Sequence, residues 1–321
     1  GAVHLVAGVA PGDRVEIAID PGDRRQKGGA RLVRVVEPSV DRVAPSCPIA
    51  TACGGCDWMF LSAAAQAREH ARVVRDLLAH ALGHAAPEPT VHAAAAPLGS
   101  RTRARLHVDA RGRRIRVGYH EPRSRELVEP DACLVLEPGL FEAGRAFAAL
   151  LAGARGHGDL AIAWGRRGEA RALVADLAFA GDVPSQVWGA IDAATERGEL
   201  AGARVALAGA AKPAMFGDPR PVQVGFDGET LVLPAGGFAQ PSDQGAAALA
   251  TRVSAMARAD DKDVHELFAG AGTLTVALAR TARVSSIEID GAAVACAREN
   301  LARRELAAKL SIGDAETAAV P

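Results

Sequence analysis

Aromatic residues and cysteines are scarce in this chain, and long apolar runs are absent. Of 321 residues, 4% are aromatic and five are cysteine. No run of about 18 uncharged apolar residues occurs, and the opening residues GAVHLVAGVAPGDRV lack the basic-then-apolar order of a signal peptide. We therefore expect a cytoplasmic, monomeric protein with no membrane association, in which clustered thiols bind metal rather than form disulfides. Because residue 1 is Gly and not Met, we expect a piece of a longer protein.

What is present is enough apolar material for more than one core. Hydrophobic residues make up 49% of the chain and charged residues 23%, with a formal net charge of −1. This length and composition predict two or three domains. We place them at residues 1–43, 44–235 and 236–321.

Three of the five cysteines lie within the ten residues CPIATACGGC, with the spacing Cys-x5-Cys-x2-Cys. The glycines in the last gap let the backbone fold tightly around the sulfurs. A fourth thiolate could come from Cys133, which also lies in a proline-flanked stretch, whereas Cys296 falls in a helical pattern. The spacing favours an iron-sulfur cluster over zinc, and both over three thiols clustered by chance. The predicted ligands are Cys47, Cys53, Cys56 and Cys133.

Residues 5–43 alternate apolar and polar positions in short runs that are broken by Pro-Gly-Asp turns. The runs DRVEIAID and ARLVRVVEP are typical of strands, and the turns join them. The pattern predicts a small β-barrel of the kind that often binds nucleic acid, although a purely structural appendage fits it equally well.

Positive charge is concentrated in residues 101–125, where nine arginines stand against Asp109 and Glu121. Arginines alternate with apolar residues on both sides of a turn near Gly112, which predicts a β-hairpin with a guanidinium-rich outer face. Guanidinium groups bind phosphates, so we expect RNA there, with an ordinary solvated face as the alternative. The predicted RNA-binding residues are Arg101, Arg103, Arg105, Arg114 and Arg116.

The pattern of residues 134–235 predicts an α+β unit, and no catalytic or binding motif occurs in it. The last ninety residues differ, because a strand, a glycine loop and a helix follow one another there. The stretch DVHELFAGAGTLTVALART places Gly270 and Gly272 after a strand, and Glu288 ends the next strand. A glycine turn followed by a strand-end acid is typical of nucleoside-cofactor sites. Thr275 stands where a dinucleotide site would have a third glycine, which favours S-adenosylmethionine over NAD, with an empty doubly wound fold as the remaining alternative. Asp314, after a third strand, is placed to meet the adenine or ribose.

These motifs together resemble the RNA uracil-5-methyltransferase family. The resemblance rests on the CPxxxxCGGC run, the hairpin that ends in RSRELVEPDAC, and the elements GGFAQPSDQ and ELFAGAGTLTVALA, in that order. It is closest to the ribosomal-RNA branch, which implies a TRAM barrel, a four-iron four-sulfur cluster on the four cysteines named above, and S-adenosylmethionine. The resemblance and the glycine-loop pattern together place the cofactor among Gln240, Phe268, Gly270, Gly272, Thr273, Glu288 and Asp314. The sequence departs from the family pattern at Ser242, Ala269 and Thr273.

The resemblance also implies how the reaction proceeds. In the family a cysteine thiolate adds to carbon 6 of uracil, carbon 5 takes the methyl group, and a carboxylate removes the carbon 5 proton. We expect that thiol and that base beyond Pro321, so no catalytic residue is predicted within the chain, and the chain alone is predicted to be inactive. The expected fold is a multidomain α/β protein with an N-terminal TRAM-like barrel, a central α+β iron-sulfur domain and an incomplete Rossmann-like domain. A non-catalytic RNA-binding iron-sulfur protein is the alternative.

Overall fold

The computed structural model describes residues 3–19, 30–83, 86–92 and 96–317. The chain divides into two compact units, of which the first comprises Gly1–Ala93 with His120–Val128 and the second comprises Ala94–Tyr119 with Glu129–Pro321. The three predicted domains remain a prediction. None of the described helices combines the length and the apolar composition that crossing a bilayer requires.

The secondary structure of the described residues mixes strands and helices throughout. The strands are β1 (Arg14–Ile19), β2 (Ala30–Glu37), β3 (Arg103–Arg111), β4 (Arg114–His120), β5 (Leu127–Val128), β6 (Arg155–Arg167), β7 (Ala170–Asp182), β8 (Leu200–Leu207), β9 (Ala214–Gly217), β10 (Val222–Val224), β11 (Thr230–Val232), β12 (Asp263–Leu267), β13 (Arg283–Glu288) and β14 (Lys309–Ile312). The helices are α1 (Ala63–Leu82), α2 (Leu140–Ala149), α3 (Ser185–Glu196), α4 (Asp243–Ala257), α5 (Thr275–Leu278) and α6 (Gly291–Ala302).

The first unit contains the two strands that the sequence predicts near the N-terminus. β1 and β2 pair antiparallel, and the turn before β1 is organised by Asp13. The Asp13 carboxylate accepts the backbone N–H groups of Ala10 at 2.7 Å and Ser39 at 2.8 Å, and it pairs with the Arg42 guanidinium at 2.5 Å. The Arg42 hydrogen bond lowers the pKa of Asp13 to about 2. Within the described residues β1 and β2 form a two-stranded sheet, so the closed TRAM barrel is not confirmed.

The second unit is built on strands of a large mixed sheet, in which β4-β3-β6-β7-β8-β9 are neighbours in that order. Its neighbours are antiparallel except β7 and β8, which run parallel. The face that carries Leu106, Leu160 and Leu177 is buried in a core shared with Phe147 of α2 and Ile191 of α3. Alternate residues of β3, among them the predicted arginines, therefore lie on the opposite face. The predicted hairpin is confirmed, with Gly112 at the turn in a left-handed conformation with φ of +70°.

The last part of the second unit is a parallel sheet with the order β12-β13-β14 and a Rossmann-like fold. The predicted helix over 291–305 is confirmed as α6, which ends at Ala302. Asn300 on α6 is fully buried and bonds to both the N–H and the C=O of Val232, each at 2.8 Å, and to the C=O of Ala271 at 2.9 Å. One amide side chain thus fixes β11, the glycine loop and α6 against one another.

Candidate cofactor and RNA sites

Most of the predicted cofactor residues lie directly after the ends of parallel strands. Phe268 and Gly270 follow β12, Glu288 ends β13, and Asp314 lies just beyond β14. Because the carboxyl ends of neighbouring parallel strands meet at one edge of a sheet, these residues share that edge. Ligands of open α/β sheets bind at such an edge, so the fold brings this predicted group together in a binding position.

The loop after β12 has the backbone of a close-approach site. Phe268 has a positive φ of +59°, which is unfavourable for a bulky residue, and its side chain is 67% exposed. Gly270 has φ of +58°, and a Cβ atom there would meet nothing within 4 Å, so the loop is open on that side. At Gly272 a Cβ atom would lie 3.1 Å from the Cβ of Ala297, so this glycine lets α6 approach the loop. One glycine thus serves packing, and the other leaves backbone open to a ligand.

Glu288 is tied to the glycine loop. Its Oε2 accepts the backbone N–H of Gly270 at 2.8 Å, and its Oε1 accepts the backbone N–H of Asp290 at 2.9 Å. Each carboxylate oxygen can accept a second hydrogen bond, and the side chain is only half-buried. The carboxylate is therefore oriented by backbone groups and can still receive the hydroxyls of a ribose.

Glu266 is a site residue that the sequence analysis missed. It lies on β12 and is 9% exposed, and its Oε2 accepts hydroxyl hydrogen bonds from Thr275 at 2.6 Å and Ser286 at 2.8 Å. Burial raises the pKa of Glu266. The carboxyl joins β12, α5 and β13 behind the glycine loop. The signal for it was its position two residues after Val264, on the same face of the strand DVHEL.

The remaining predicted cofactor residues are less constrained. Gln240 is half-buried and its backbone C=O accepts the side-chain amide of Gln223 at 3.2 Å, while Thr273 is half-buried within the glycine loop. Asp314 is exposed and its Oδ1 accepts the N–H of Glu316 at 2.9 Å. Ser242, which departs from the family pattern, caps α4 by accepting the N–H of Gly245 at 3.0 Å. Serine is a favoured residue at a helix N-cap, so this departure keeps a structural role.

The arginine-rich face is only partly as predicted. Arg101, Arg105 and Arg114 are exposed, whereas Arg116 forms an ion pair with Glu129 at 2.5 Å. Arg103 is half-buried, and its Nε and Nη2 are buried without a hydrogen-bond partner in the described residues, so its guanidinium is less accessible than the pattern predicts. The cause is tertiary, because the start of β3 bonds to the segment before α4, where the N–H of Thr102 donates to the C=O of Pro241 at 2.9 Å.

The predicted metal ligands are half-buried thiols that belong to both units. Cys47, Cys53 and Cys56 lie in the first unit, and Cys133 lies in the second, where its sulfur is 3.5 Å from the Tyr119 hydroxyl. The N–H of Gly55 donates to the sulfur of Cys53 at 3.4 Å. Across the part of the chain that the structure describes, no three His, Cys, Asp or Glu side chains are grouped so that they could hold a metal ion. The cluster is therefore not shown.

Gly54 explains why the cysteine loop needs glycine. Its N–H donates to the C=O of His120 at 2.9 Å, and a Cβ atom at this position would lie 2.6 Å from that oxygen. A side chain here would push the loop away from residue 120. The glycine between Cys53 and Cys56 thus fixes the path of the loop, which is a packing reason beyond the local turn that its sequence indicates.

Cys296 is a core residue, as its helical pattern predicts. It lies on α6 with 4% of its surface exposed, and burial raises the pKa of its thiol. A thiol with a raised pKa and little exposure is a poor nucleophile. The prediction that the chain contains no catalytic residue is not tested further by the structure.

Comparison with known proteins gives consistent similarities. Residues 230–320 match the family described as "Methyltransferase small domain". The chain is 34% identical over 142 residues to the "23S rRNA (uracil(1939)-C(5))-methyltransferase RlmD" of Pectobacterium carotovorum, which covers 44% of this chain and 31% of that protein. It is 40% identical over 145 residues to the protein of the same name from Halomonas elongata. That alignment covers 44% of this chain and 29% of the relative. The matched stretch thus spans about a third of these relatives.

The fold is similar over nearly the whole chain to one solved structure. The tRNA (uracil-54, C5)-methyltransferase of Pyrococcus abyssi, in complex with S-adenosyl-L-homocysteine, superposes with a TM-score of 0.68 at 18% identity. The alignment covers 99% of this chain and 76% of that one. The similarity to RNA uracil-5-methyltransferases that the motifs indicate is therefore confirmed, by sequence over the matched stretch and by fold over nearly the whole chain.

Proposed function

We propose that this chain carries the cofactor-binding and RNA-binding parts of an enzyme that methylates carbon 5 of a uridine in ribosomal RNA, with S-adenosylmethionine as methyl donor. The observation that carries the proposal is the carboxyl edge of β12-β13-β14, where an open glycine loop and an oriented acid meet. The names of the relatives support the substrate class and carbon 5.

The residues at this edge fit the cofactor. In this proposal Glu288, at the end of β13, accepts the ribose hydroxyls, and Asp314, after β14, meets the adenine or ribose side. The open side of Gly270 supports close approach of the cofactor to the backbone. Gln240, Phe268, Gly272 and Thr273 complete the proposed surroundings. S-adenosylmethionine supplies the methyl group when it is bound, and these residues hold and orient it.

We propose that RNA binds along the face that carries Arg101, Arg105 and Arg114, which are exposed on or beside the hairpin. Arg116 would contact RNA in competition with Glu129, and the half-buried Arg103 would contribute less than the three exposed arginines. A face of this kind contributes mainly through phosphate charge.

We also propose that Cys47, Cys53, Cys56 and Cys133 bind a four-iron four-sulfur cluster. The donor set has the right chemistry, and the N–H group of Gly55 already donates to one sulfur, as amides around such clusters do. The described geometry does not by itself gather the ligands, so the proposal rests on spacing and the family resemblance. A TRAM-like barrel at residues 1–43, a monomeric state and a cytoplasmic location belong to the same proposal.

No residue of the chain is assigned as the nucleophile or the base. Four thiols are assigned to the cluster, and the fifth, on Cys296, is buried in α6 with a raised pKa. We therefore expect the activated thiolate that carbon 5 methylation requires to come from a part of the enzyme outside residues 1–321.

Mass spectrometry of ribosomal RNA tests the proposed function. RNA from cells with and without the gene is digested, and the methylated fragments are compared. Loss of one 5-methyluridine on deletion, restored by the gene, is expected. The alternative is a non-catalytic RNA-binding iron-sulfur protein, and one observation favours it, because the one cysteine not assigned to the cluster, Cys296, is buried. Unchanged methylation, together with purified protein that binds RNA but not S-adenosylmethionine, would support this alternative.

A further inference from the structure

Residues 236–243 form a segment that runs from the sheet of the second unit to α4 and contains Gln240. Its first residue is fixed by close packing. Gly236 has φ of +70°, and a Cβ atom there would lie 2.4 Å from the Oδ2 of Asp176, which pairs with Arg204 at 2.7 Å. The beginning of the segment therefore lies close against the ion pair that joins β7 and β8.

The end of the segment is fixed to the start of the hairpin. The N–H of Thr102 donates to the C=O of Pro241 at 2.9 Å, and its hydroxyl donates to the Oδ1 of Asp243 at 3.1 Å. The Oδ2 of Asp243 accepts the N–H of Val224 at 3.2 Å. Thr102 is buried, with 8% exposed, so these bonds are shielded from water. Asp243 thus joins the hairpin, β10 and the residues beside Gln240.

Charge reinforces this junction. Arg103 is the next residue after Thr102. Its Nε and Nη2 atoms are buried and have no hydrogen-bond partner in the described residues. Burial lowers the pKa of Arg103, and the attraction of Asp243 opposes that change. Burying guanidinium nitrogens without partners is costly, and the attraction of Asp243 offsets part of that cost.

Between its two fixed ends the segment is loosely held. A cavity of about 330 Å³ lies alongside it, lined among others by Arg103, Ala161, Val174, Asp176 and Phe238. Phe238 is 83% exposed, and the one side-chain hydrogen bond to Gln240 in the described structure reaches its backbone. A ligand that contacts the segment from either side would therefore restrict its motion. The ligand that binds first loses the conformational entropy of this ordering, so the second ligand binds more tightly.

We infer that Asp243 is a positioning residue that couples RNA binding on the arginine hairpin to cofactor binding at Gln240. This inference rests on the proposed function. RNA that immobilises the start of β3 also immobilises Thr102, and through Asp243 it fixes the segment that carries Gln240. A cofactor that immobilises Gln240 fixes the same segment, and through Asp243 and Thr102 it fixes the start of β3. Each ligand is expected to tighten the binding of the other by the same factor, because equilibrium coupling is reciprocal.

Calorimetry on the full chain tests the inference. S-adenosylhomocysteine is titrated with and without a transcript of 23S ribosomal RNA around uracil 1939, the position in the relatives' names. The RNA is expected to tighten nucleoside binding about fivefold or more. Asp243→Asn, which loses the charge beside Arg103 and one acceptor, is expected to bring that factor close to one. Thr102→Val is expected to lower it, and Asp263→Asn, which changes an exposed acid at the start of β12, is expected to leave it unchanged.

The outcomes separate the inference from the proposed function. If the parent chain binds neither RNA nor S-adenosylhomocysteine, the proposed function fails. If it binds both with no mutual effect, or if folded Asp243→Asn and Thr102→Val retain the full factor, the inference is wrong. Thermal melting identifies a variant that has simply unfolded, and the second variant then decides. A purely structural role would weaken both binary affinities and leave their ratio with and without RNA unchanged.

Discussion

Three residues around the glycine loop differ in what they contact. Glu266 is buried behind the loop and holds the hydroxyls of Thr275 and Ser286, so it acts on the scaffold. Glu288 faces the loop itself, with both oxygens bonded to backbone N–H groups. Phe268 adopts a left-handed backbone conformation at the open edge. Strain of this kind is found at functional sites because the surrounding structure maintains it.

The first prediction at this scale concerns Glu288. Glu288→Ala is expected to weaken S-adenosylmethionine binding by about 1.5–3 kcal/mol, because hydrogen bonds to a charged acceptor are lost. Glu288→Gln keeps one acceptor oxygen and is expected to lose less. Isothermal calorimetry measures both, and Asp263→Ala, an exposed acid on β12, serves as the control. Equal affinity in Glu288→Ala and the parent would remove this residue from the site.

The elements differ in how they use the same residue type. On and beside the hairpin of β3 and β4, Arg101, Arg105 and Arg114 are exposed, and Arg105 lies 4.0 Å from Asp159. Arg116 pairs with Glu129, and Arg103 is half-buried. Exposed arginines bind RNA by releasing counterions, which requires access to phosphates. Arg103 instead has two buried guanidinium nitrogens and is attracted by Asp243, so Arg103 and Arg105, two residues apart on β3, differ in environment.

The prediction at the element scale is a change of salt dependence. Replacing Arg101, Arg105 and Arg114 together by Gln is expected to lower the slope of log affinity against log salt by about 2 to 3, since each phosphate contact contributes about 0.7–0.9. Filter binding or fluorescence anisotropy at several salt concentrations measures the slope. A matched triple variant at Arg197, Arg252 and Arg283, which are exposed elsewhere, removes the same charge and is expected to keep the slope. Identical slopes for both triples would make the hairpin an ordinary solvated face.

At the scale of the whole molecule the cysteines are the point of interest. Cys47, Cys53 and Cys56 belong to the first unit, and Cys133 belongs to the second. The composition of the chain gives no sign of this division. The fifth cysteine, on α6, packs in a separate apolar cluster with Val232 and Ala271. Metal content is therefore the measurement that distinguishes the four proposed ligands from the fifth thiol.

The prediction at this scale is the metal content. Protein purified without oxygen is expected to be brown and to contain about four iron and four sulfide per chain, as a cubane cluster requires. Cys133→Ser is expected to lose most of the iron and the visible absorption, whereas Cys296→Ser, at a buried position on α6, is expected to keep both. Metal analysis and absorption spectroscopy provide the measurement. Stoichiometric zinc with no visible absorption would contradict the cluster.

The sequence alone determined those features that depend on local pattern. The alternation of arginine and apolar residues predicted the hairpin, and the glycines after an apolar strand predicted the loop and the acid that ends β13. The helical spacing around Cys296 predicted α6. These signals are local because side-chain periodicity and backbone freedom are properties of a short stretch of chain. The order of the motifs also sufficed for the family resemblance.

The tertiary structure decided what depends on residues far apart in the chain. Arg103 is half-buried because residues 241–243 lie against the start of β3. Thr102 and Asp243, which are hydrogen-bonded there, are 141 positions apart in the chain. Asn300 fixes Val232 across 68 positions, and Glu288 finds the N–H of Gly270 only because β12 and β13 are parallel neighbours. Burial and hydrogen bonding arise from packing, so no periodicity within β3 distinguishes Arg103 from Arg105.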